Sequence, residues 1–375
     1  MADLSQLVEL SESLIQAHTL FDKTRCIPLR NRFSRCSRCV DACPVAAITL
    51  LPRSLTVDKT SCVNCGSCST VCPVQALIPL EPSDDDLARA TVAAIEAAET
   101  MACFACARVM AKRGPDPAKV VTVDCLSRVD ESLILGLAAH GVDTIVLADG
   151  NCDTCKYKTC GRLSHQIADQ TNELLEAMGS SALVISTTGV PEELHTAFDQ
   201  EALNEERRNL FFHTKEAMTE TARHAAAIGI KGATGVDLVA KAAQVMEADP
   251  QRHNNLVNAL EQLGEPQDMT VSSRCFGSVR IDRDKCTTCN KCVLTCPPKA
   301  LQKSLVALED GQGVFFEFDA WKCVRCHLCM NVCQSAAITV EDVNMTEIFQ
   351  LEPRLIPVPP EPVYQNPGLF WKGDR

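Results

Sequence analysis

The sequence predicts an α+β multi-domain fold: two small cysteine-bound modules around a small α/β domain with a parallel sheet, plus a helical segment. Three observations predict it. The 23 cysteines of the 375 residues form groups, eight from Cys26 to Cys72, six from Cys103 to Cys160 and eight from Cys286 to Cys333, with Cys275 left over. The outer groups repeat one spacing, which marks an internal duplication. The stretch between them alternates strand-like and helix-like segments in the order of a parallel α/β sheet.

The expected order is a helix over 1–25, a module over 26–82, the α/β domain over 83–190, a helical segment over 191–270, a second module over 271–345 and a Pro-rich tail over 346–375. The first twenty residues mix Asp3, Glu9 and Glu12 among leucines and lack the basic and apolar regions of a signal peptide, so a cytoplasmic location is expected. Within each module a strand-turn-strand pattern separates the cysteine runs, around Pro52 in the first and Asp310-Gly311 in the second. Ser83 caps a helix rich in alanine. Strand VVTVD, helix ESLILGLAAH, strand VDTIVLAD, helix LSHQIADQTNELLEAMG and strand ALVIST follow, with Cys125, Cys152 and Cys155 just past strand ends. Open α/β sheets place their sites at those ends.

Residues 199–263 read as helical and polar, and Gly229, Gly232 and Gly235 follow no strand, which argues against a nucleotide site. The tail is expected to be either disordered or an extended arm wrapping a partner subunit. No window approaches the roughly 20 apolar residues of a membrane span. The net charge of −12 and 4% aromatic content argue against a nucleic-acid surface. The arginines at 25, 30, 32, 35 and 38 read as charge compensation beside an anionic centre rather than as a docking patch.

The run Cys62-x2-Cys65-x2-Cys68-x3-Cys72-Pro73 recurs at Cys286, Cys289, Cys292, Cys296 and at Cys323, Cys326, Cys329, Cys333, where Gln334 replaces the proline. A fourth copy, Cys36, Cys39 and Cys43, lacks its first cysteine. Three thiolates from one tight loop and a fourth from elsewhere suit a cubane iron-sulfur cluster. These runs resemble the bacterial two-cluster ferredoxins, in which the distal cysteine of one run ligates the cluster of the other. That resemblance implies four [4Fe-4S] clusters. By its crossing rule, with Cys26 assigned by counting as the displaced first ligand, the sets are Cys26, Cys36, Cys39 and Cys72; Cys43, Cys62, Cys65 and Cys68; Cys286, Cys289, Cys292 and Cys333; and Cys296, Cys323, Cys326 and Cys329. Cys275 is expected to be a spare buried thiol, and His327 to tune potential or bond to solvent.

The middle group is Cys103, Cys106, Cys125, Cys152, Cys155 and Cys160. Cys103-x2-Cys106, the Ser127-Arg128-Val129-Asp130 stretch after Cys125, and a Gly-Val-Asp-led strand ending in paired cysteines resemble the delta subunit of methyl-viologen-reducing hydrogenases. The resemblance implies a further centre, a [2Fe-2S] cluster, and electron transfer between a hydrogenase or formate dehydrogenase and a heterodisulfide-reductase-like flavoprotein or another flavin or quinone partner. Which four of the six ligate, and whether the metal is iron or zinc, stays open at this stage. The expected function is a non-catalytic electron-transfer subunit of an oxidoreductase complex. The alternatives are a reductase whose middle cysteines are catalytic, and a zinc-stabilised interaction protein.

Overall fold

The computed structural model describes residues 15–16, 18–196, 251–307 and 314–360. It has the α+β, multi-domain organisation expected. In the first module Thr19–Phe21 pairs antiparallel with Leu77–Pro79, and Ile48–Leu51 forms a hairpin with Ser54–Val57. In the second, Ser278–Ile281 pairs with Ile338–Glu341, and Leu301–Ala307 pairs with Val314–Phe318. The two modules thus repeat one plan, terminal strand pair outside and hairpin inside. Alternation explains the hairpins: Leu55 and Val57 point inward while Ser54 and Thr56 are exposed.

Between the modules stand four parallel strands, β1 (Ala102–Cys106), β2 (Val121–Val123), β3 (Thr144–Ala148) and β4 (Leu183–Thr187), in spatial order β2-β1-β3-β4. Four helices accompany them: α1 (Asp84–Ala98), α2 (Glu131–Ala139), α3 (Lys158–Ala177) and α4 (Gln251–Leu263). Ser83 caps α1 with a capping box to Asp86, and Asp130 caps α2 through the Leu133 amide. Both caps satisfy amides that the first helical turn leaves without partners. One apolar core runs from the sheet through Ile134 and Leu260 to Phe276, Phe318 and Ile338 of the second module. The middle domain and second module therefore bury a common interior, whereas the first module keeps a smaller core around Phe21, Leu55 and Leu77.

Three expectations need correction. Ile15–Gln16 and Thr19–Phe21 are strands, not part of an N-terminal helix, because Thr19, Leu20 and Phe21 extend against Leu77–Pro79 with all three buried. The tail does not leave the molecule at 346: Met345–Ile348 is a helical turn, and Arg354–Val358 adds a third strand to Val314–Phe318, burying Ile356 and Val358. Apolar alternation outweighs Pro357 there, since an edge strand tolerates a missing donor. Ala102–Cys106, read only as a cysteine motif, is the central strand β1. The Asp310-Gly311 turn, residues 1–14, the glycine cluster with its flanks at 197–250, and residues 361–375 lie outside the described residues. Among the described residues no helix is long and apolar enough to cross a membrane.

Candidate metal centres

Each cysteine run is entered in the same way. A strand ends, an aspartate follows, and four residues later stands the run's first cysteine: Asp22 and Cys26, Asp58 and Cys62, Asp282 and Cys286, Asp319 and Cys323. The aspartate amide donates to the carbonyl of an alanine four residues beyond a distal cysteine, at 2.8 Å in all four cases: Asp22 to Ala76, Asp58 to Ala47, Asp282 to Ala337 and Asp319 to Ala300. Each bond joins the start of one run to the end of the other run in its module. It brings Cys26 beside Cys72, Cys62 beside Cys43, Cys286 beside Cys333 and Cys323 beside Cys296. Cys26 thus occupies the place that Cys286 holds in the second module. It stands ten residues before Cys36 rather than three because an insertion containing the turn Ile27–Arg30 intervenes.

The distal cysteines share a second device. The residue three positions on is left-handed although it is not glycine: Ala46 (φ 50°), Gln75 (φ 48°), Lys299 (φ 54°) and Ala336 (φ 50°). Left-handed backbone is uncommon for such residues and persists where the surroundings impose it. Here it turns the next amide onto sulfur: Ala47 N to Cys43 Sγ at 3.2 Å, Ala76 N to Cys72 Sγ at 3.2 Å and Ala337 N to Cys333 Sγ at 3.3 Å. Ala336 adopts the conformation without a proline after Cys333, so the proline is not what makes the exit turn. Left-handed residues also interrupt the complete C-x2-C-x2-C loops at Asn64, Gly66, Thr288, Asn290, Arg325 and His327. Alternating right- and left-handed backbone of this kind forms amide-lined concavities that bind anions, iron-sulfur centres among them.

Charge crowding is the electrostatic signature of these sets. Burial raises the Cys39 thiol to about 12, helped by Cys72, Cys36 and Cys26. Burial raises Cys292 to about 12, helped after an opposing backbone bond by Cys286, Cys289 and Cys333. Burial pushes Cys329 up as well, with Cys326, Cys323 and Cys296 adding to it. Burial likewise raises Cys68, with Cys65, Cys62 and Cys43 among its charged neighbours. Thiols crowded so that they repel one another's ionised forms fit a polycationic centre, to which a cysteine binds as the thiolate.

In the middle domain the sheet order reverses between β1 and β3, and the cysteines stand at the carboxyl ends of the strands around that reversal. Cys106 ends β1, Cys125 follows β2, and Cys152 and Cys155 follow β3. Cys106 Sγ and Cys152 Sγ both face the Asp149 carbonyl, at 3.6 and 3.9 Å. Burial, then Asp149, Cys125, Cys106 and Cys155 raise the Cys152 thiol to about 12. The other two cysteines differ. Cys103 is fully buried in an apolar layer with Ala105, Val146 and Ala148, and burial alone raises it. Cys160, at the start of α3, shares hydrogen bonds with Cys65 and Cys125; these hold both partners low and its own thiol high. Ser67 Oγ lies 3.3 Å from the Cys160 sulfur. Gly161 permits the close packing, since a Cβ there would stand 2.2 Å from Cys152 Cβ.

Cys275 joins no thiol set. Its surroundings are Glu131, Arg274, Asp130 and Arg252, and burial raises its thiol. His327 Nε2 is buried without a hydrogen-bond partner, and burial, then Arg38 and Arg325, lower its pKa. Of the arginine run, Arg25 pairs with Asp22 at 3.0 Å and Arg38 Nη2 donates to the Arg325 carbonyl at 2.6 Å. The arginine bonds that join the three domains were not foreseen: Arg252 pairs with Asp130 at 2.6 Å and donates to the Ser69 carbonyl at 2.8 Å, and Arg274 pairs with Glu131 at 2.5 Å and donates to the Thr70 carbonyl at 2.7 Å. Nothing in their spacing announces them. The aspartate four before each first cysteine was legible and would have identified Cys26 without counting.

Comparison with known proteins agrees with this plan. The 4Fe-4S dicluster domain family matches residues 34–76 and 285–337. The family described as methyl-viologen-reducing hydrogenase, delta subunit, matches residues 93–206. A Streptomyces griseus ferredoxin is 46% identical over 39 residues, which are 10% of this chain and 37% of that ferredoxin, little more than a third of its length. The NADH-dependent phenylglyoxylate dehydrogenase subunit delta of Aromatoleum evansii is 32% identical over 84 residues, 20% of this chain and 82% of that subunit. Pyruvate synthase subunit PorD of Methanocaldococcus jannaschii is 37% identical over 73 residues, 20% of this chain and 76% of that subunit. The chain therefore belongs to the 4Fe-4S dicluster ferredoxin family, with two such domains flanking a methyl-viologen-reducing hydrogenase delta-subunit domain.

Proposed function

We propose that the protein is an electron-transfer subunit of a larger oxidoreductase, taking electrons from one redox protein and delivering them to another. The observation that carries the reading is the fourfold aspartate-to-alanine bond, which ties the start of each cysteine run to the end of the other run in its module and so supports the four crossed sets. In this reading each set, as enumerated from the sequence, holds one [4Fe-4S] cluster. Cys106, Cys125, Cys152 and Cys155 hold a fifth centre, a [2Fe-2S] cluster, while Cys103 and Cys160 remain free. The bound clusters supply one-electron chemistry. The chain's own residues hold the thiolates, exclude water and set the local field through amides directed at sulfur.

The related subunits of phenylglyoxylate dehydrogenase and pyruvate synthase are named as parts of oxidoreductases, which supports a subunit role. The delta-subunit family's description supports a hydrogenase as one partner; in this reading the partners are a hydrogenase or formate dehydrogenase and a heterodisulfide-reductase-like flavoprotein, in a cytoplasmic complex. Metal and sulfide analysis of anaerobically purified protein tests the cofactors: the reading expects about eighteen irons per chain, four cubanes and one two-iron centre. Zinc in place of iron would remove it. Cys152→Ser is expected to stop transfer between the natural partners while dithionite still reduces the four cubane centres. Turnover of a small substrate by the chain alone, lost in that variant, would replace the carrier reading with a catalytic one.

A further inference from the structure

The electron-carrier reading leaves open how five thiol sets are ordered, and on that reading the loops that carry the ligands determine the order. Two contacts between domains join ligand loops directly. Ser127, two residues after Cys125, donates its hydroxyl to the Cys65 carbonyl at 2.9 Å, and Ser67, between Cys65 and Cys68, lies 2.8 Å from Ser127 Oγ. The buried Cys160 thiol fills the space beside them, 3.3 Å from Ser67 Oγ. Arg38, between Cys36 and Cys39, donates to the carbonyl of Arg325, between Cys323 and Cys326, at 2.6 Å. In both, a side chain from one ligand loop bonds the backbone of another, so two sets meet without solvent-exposed linkers between them.

Within each module short helices link the two sets: Ser67–Thr70 carries Cys68 and leads to Cys72, Leu328–Val332 carries Cys329 and leads to Cys333, and the first runs do the same. The helix Arg38–Ala42 carries Cys39 of one set and is followed by Cys43 of the other; Lys291–Thr295 carries Cys292 and is followed by Cys296. We infer that the five sets form one unbranched file, from the middle-domain cysteines to the Cys65 set, the Cys39 set, the Cys326 set and finally the Cys289 set. Both ends of the file reach the surface. Cys289 is the exposed thiol among the described cysteines, and Leu294, in the helix that follows it, is 80% exposed. At the other end Asn151, Asp153 and Thr154 around Cys152 are exposed. Donor and acceptor proteins therefore dock at opposite ends. One electron taken from a reduced protein-bound centre at one end leaves to an oxidised protein-bound centre at the other, and no bond is made or broken.

The test is electron paramagnetic resonance of the full chain, reduced with dithionite, with iron measured on every sample. Spin coupling between neighbouring reduced centres splits and broadens their signals. Cys26→Ser removes the interior Cys39 centre and is expected to remove its share of the coupling from both the Cys65 and the Cys326 centres, leaving Cys65 coupled to the middle-domain centre and Cys326 to the Cys289 centre. Cys289→Ser, at the exposed end, is expected to simplify the Cys326 signal alone and leave the first-module and middle-domain signals unchanged. Altered first-module signals in Cys289→Ser would overturn the order, as would a Cys326 signal unchanged in Cys26→Ser despite the loss of one cluster's iron. Protein without iron would remove the electron-carrier reading itself, whereas a full iron complement with the wrong coupling pattern removes the file alone.

Discussion

Gly66 lies in the Cys62–Cys68 loop, where the first module meets the middle domain, and Gly66→Ala measures how tightly that junction is fixed. Two costs add. Gly66 has φ +75°, and an alanine held left-handed loses about 1–2 kcal/mol. The added methyl would stand 2.6 Å from Arg128 Cδ, 2.9 Å from its Cβ and 3.1 Å from its Cα. Backbone as well as side chain must then move, which places the clash in the range of about 1–3 kcal/mol for overpacking. Arg128 has little freedom to yield, since its guanidinium is buried and bonded to Asp84 at 2.6 Å. Gly141→Ala is the control: φ is +87° and nothing lies within 4 Å of the added methyl, so only the backbone cost of about 1–2 kcal/mol applies. Anaerobic urea titration followed by circular dichroism should show Gly66→Ala destabilised by about 1–3 kcal/mol more than Gly141→Ala. Equal losses would refute the close packing of the loop on Arg128.

Two other perturbations have expected outcomes. Gly161→Ala should displace Cys152 and lower iron by the middle centre alone, leaving the cubane absorbance; an unchanged iron content would mean that Cys152 is not a ligand. Truncation before Arg354 removes two buried side chains, Ile356 and Val358, each contributing about 1.5–3 kcal/mol, and should destabilise the second module, whereas truncation after residue 360 should not. Equal thermal stability of the two truncations, read by loss of visible absorbance, would contradict the strand pairing.

Most of the cysteine architecture was legible because thiolate ligation imposes short fixed spacings that survive any surrounding fold. The duplication, the hairpins and the α/β alternation were legible for the same kind of reason, local period and cap. The N-terminal strands were not, since Thr19–Phe21 is too short to show a period and gains its conformation from Leu77–Pro79, far along the chain. The third strand of the second module was hidden by its prolines. Which middle cysteines converge depends on strand order: β1 lies between β2 and β3, so Cys106, Cys125 and Cys152 meet only once the sheet is assembled. Arg252 and Arg274 belong to no motif, and only packing places them against Asp130 and Glu131.

The central claim is that thiols are gathered in crossed sets by the bonds that start each run, with Cys26 completing the first and Cys275 standing apart. Iron per chain, measured in anaerobically purified Cys26→Ser and Cys275→Ser beside the unaltered protein, tests it most directly. The account predicts that Cys26→Ser loses about four irons, one cubane cluster, and that Cys275→Ser loses none. Equal loss in the two variants, or loss in Cys275→Ser alone, would contradict it.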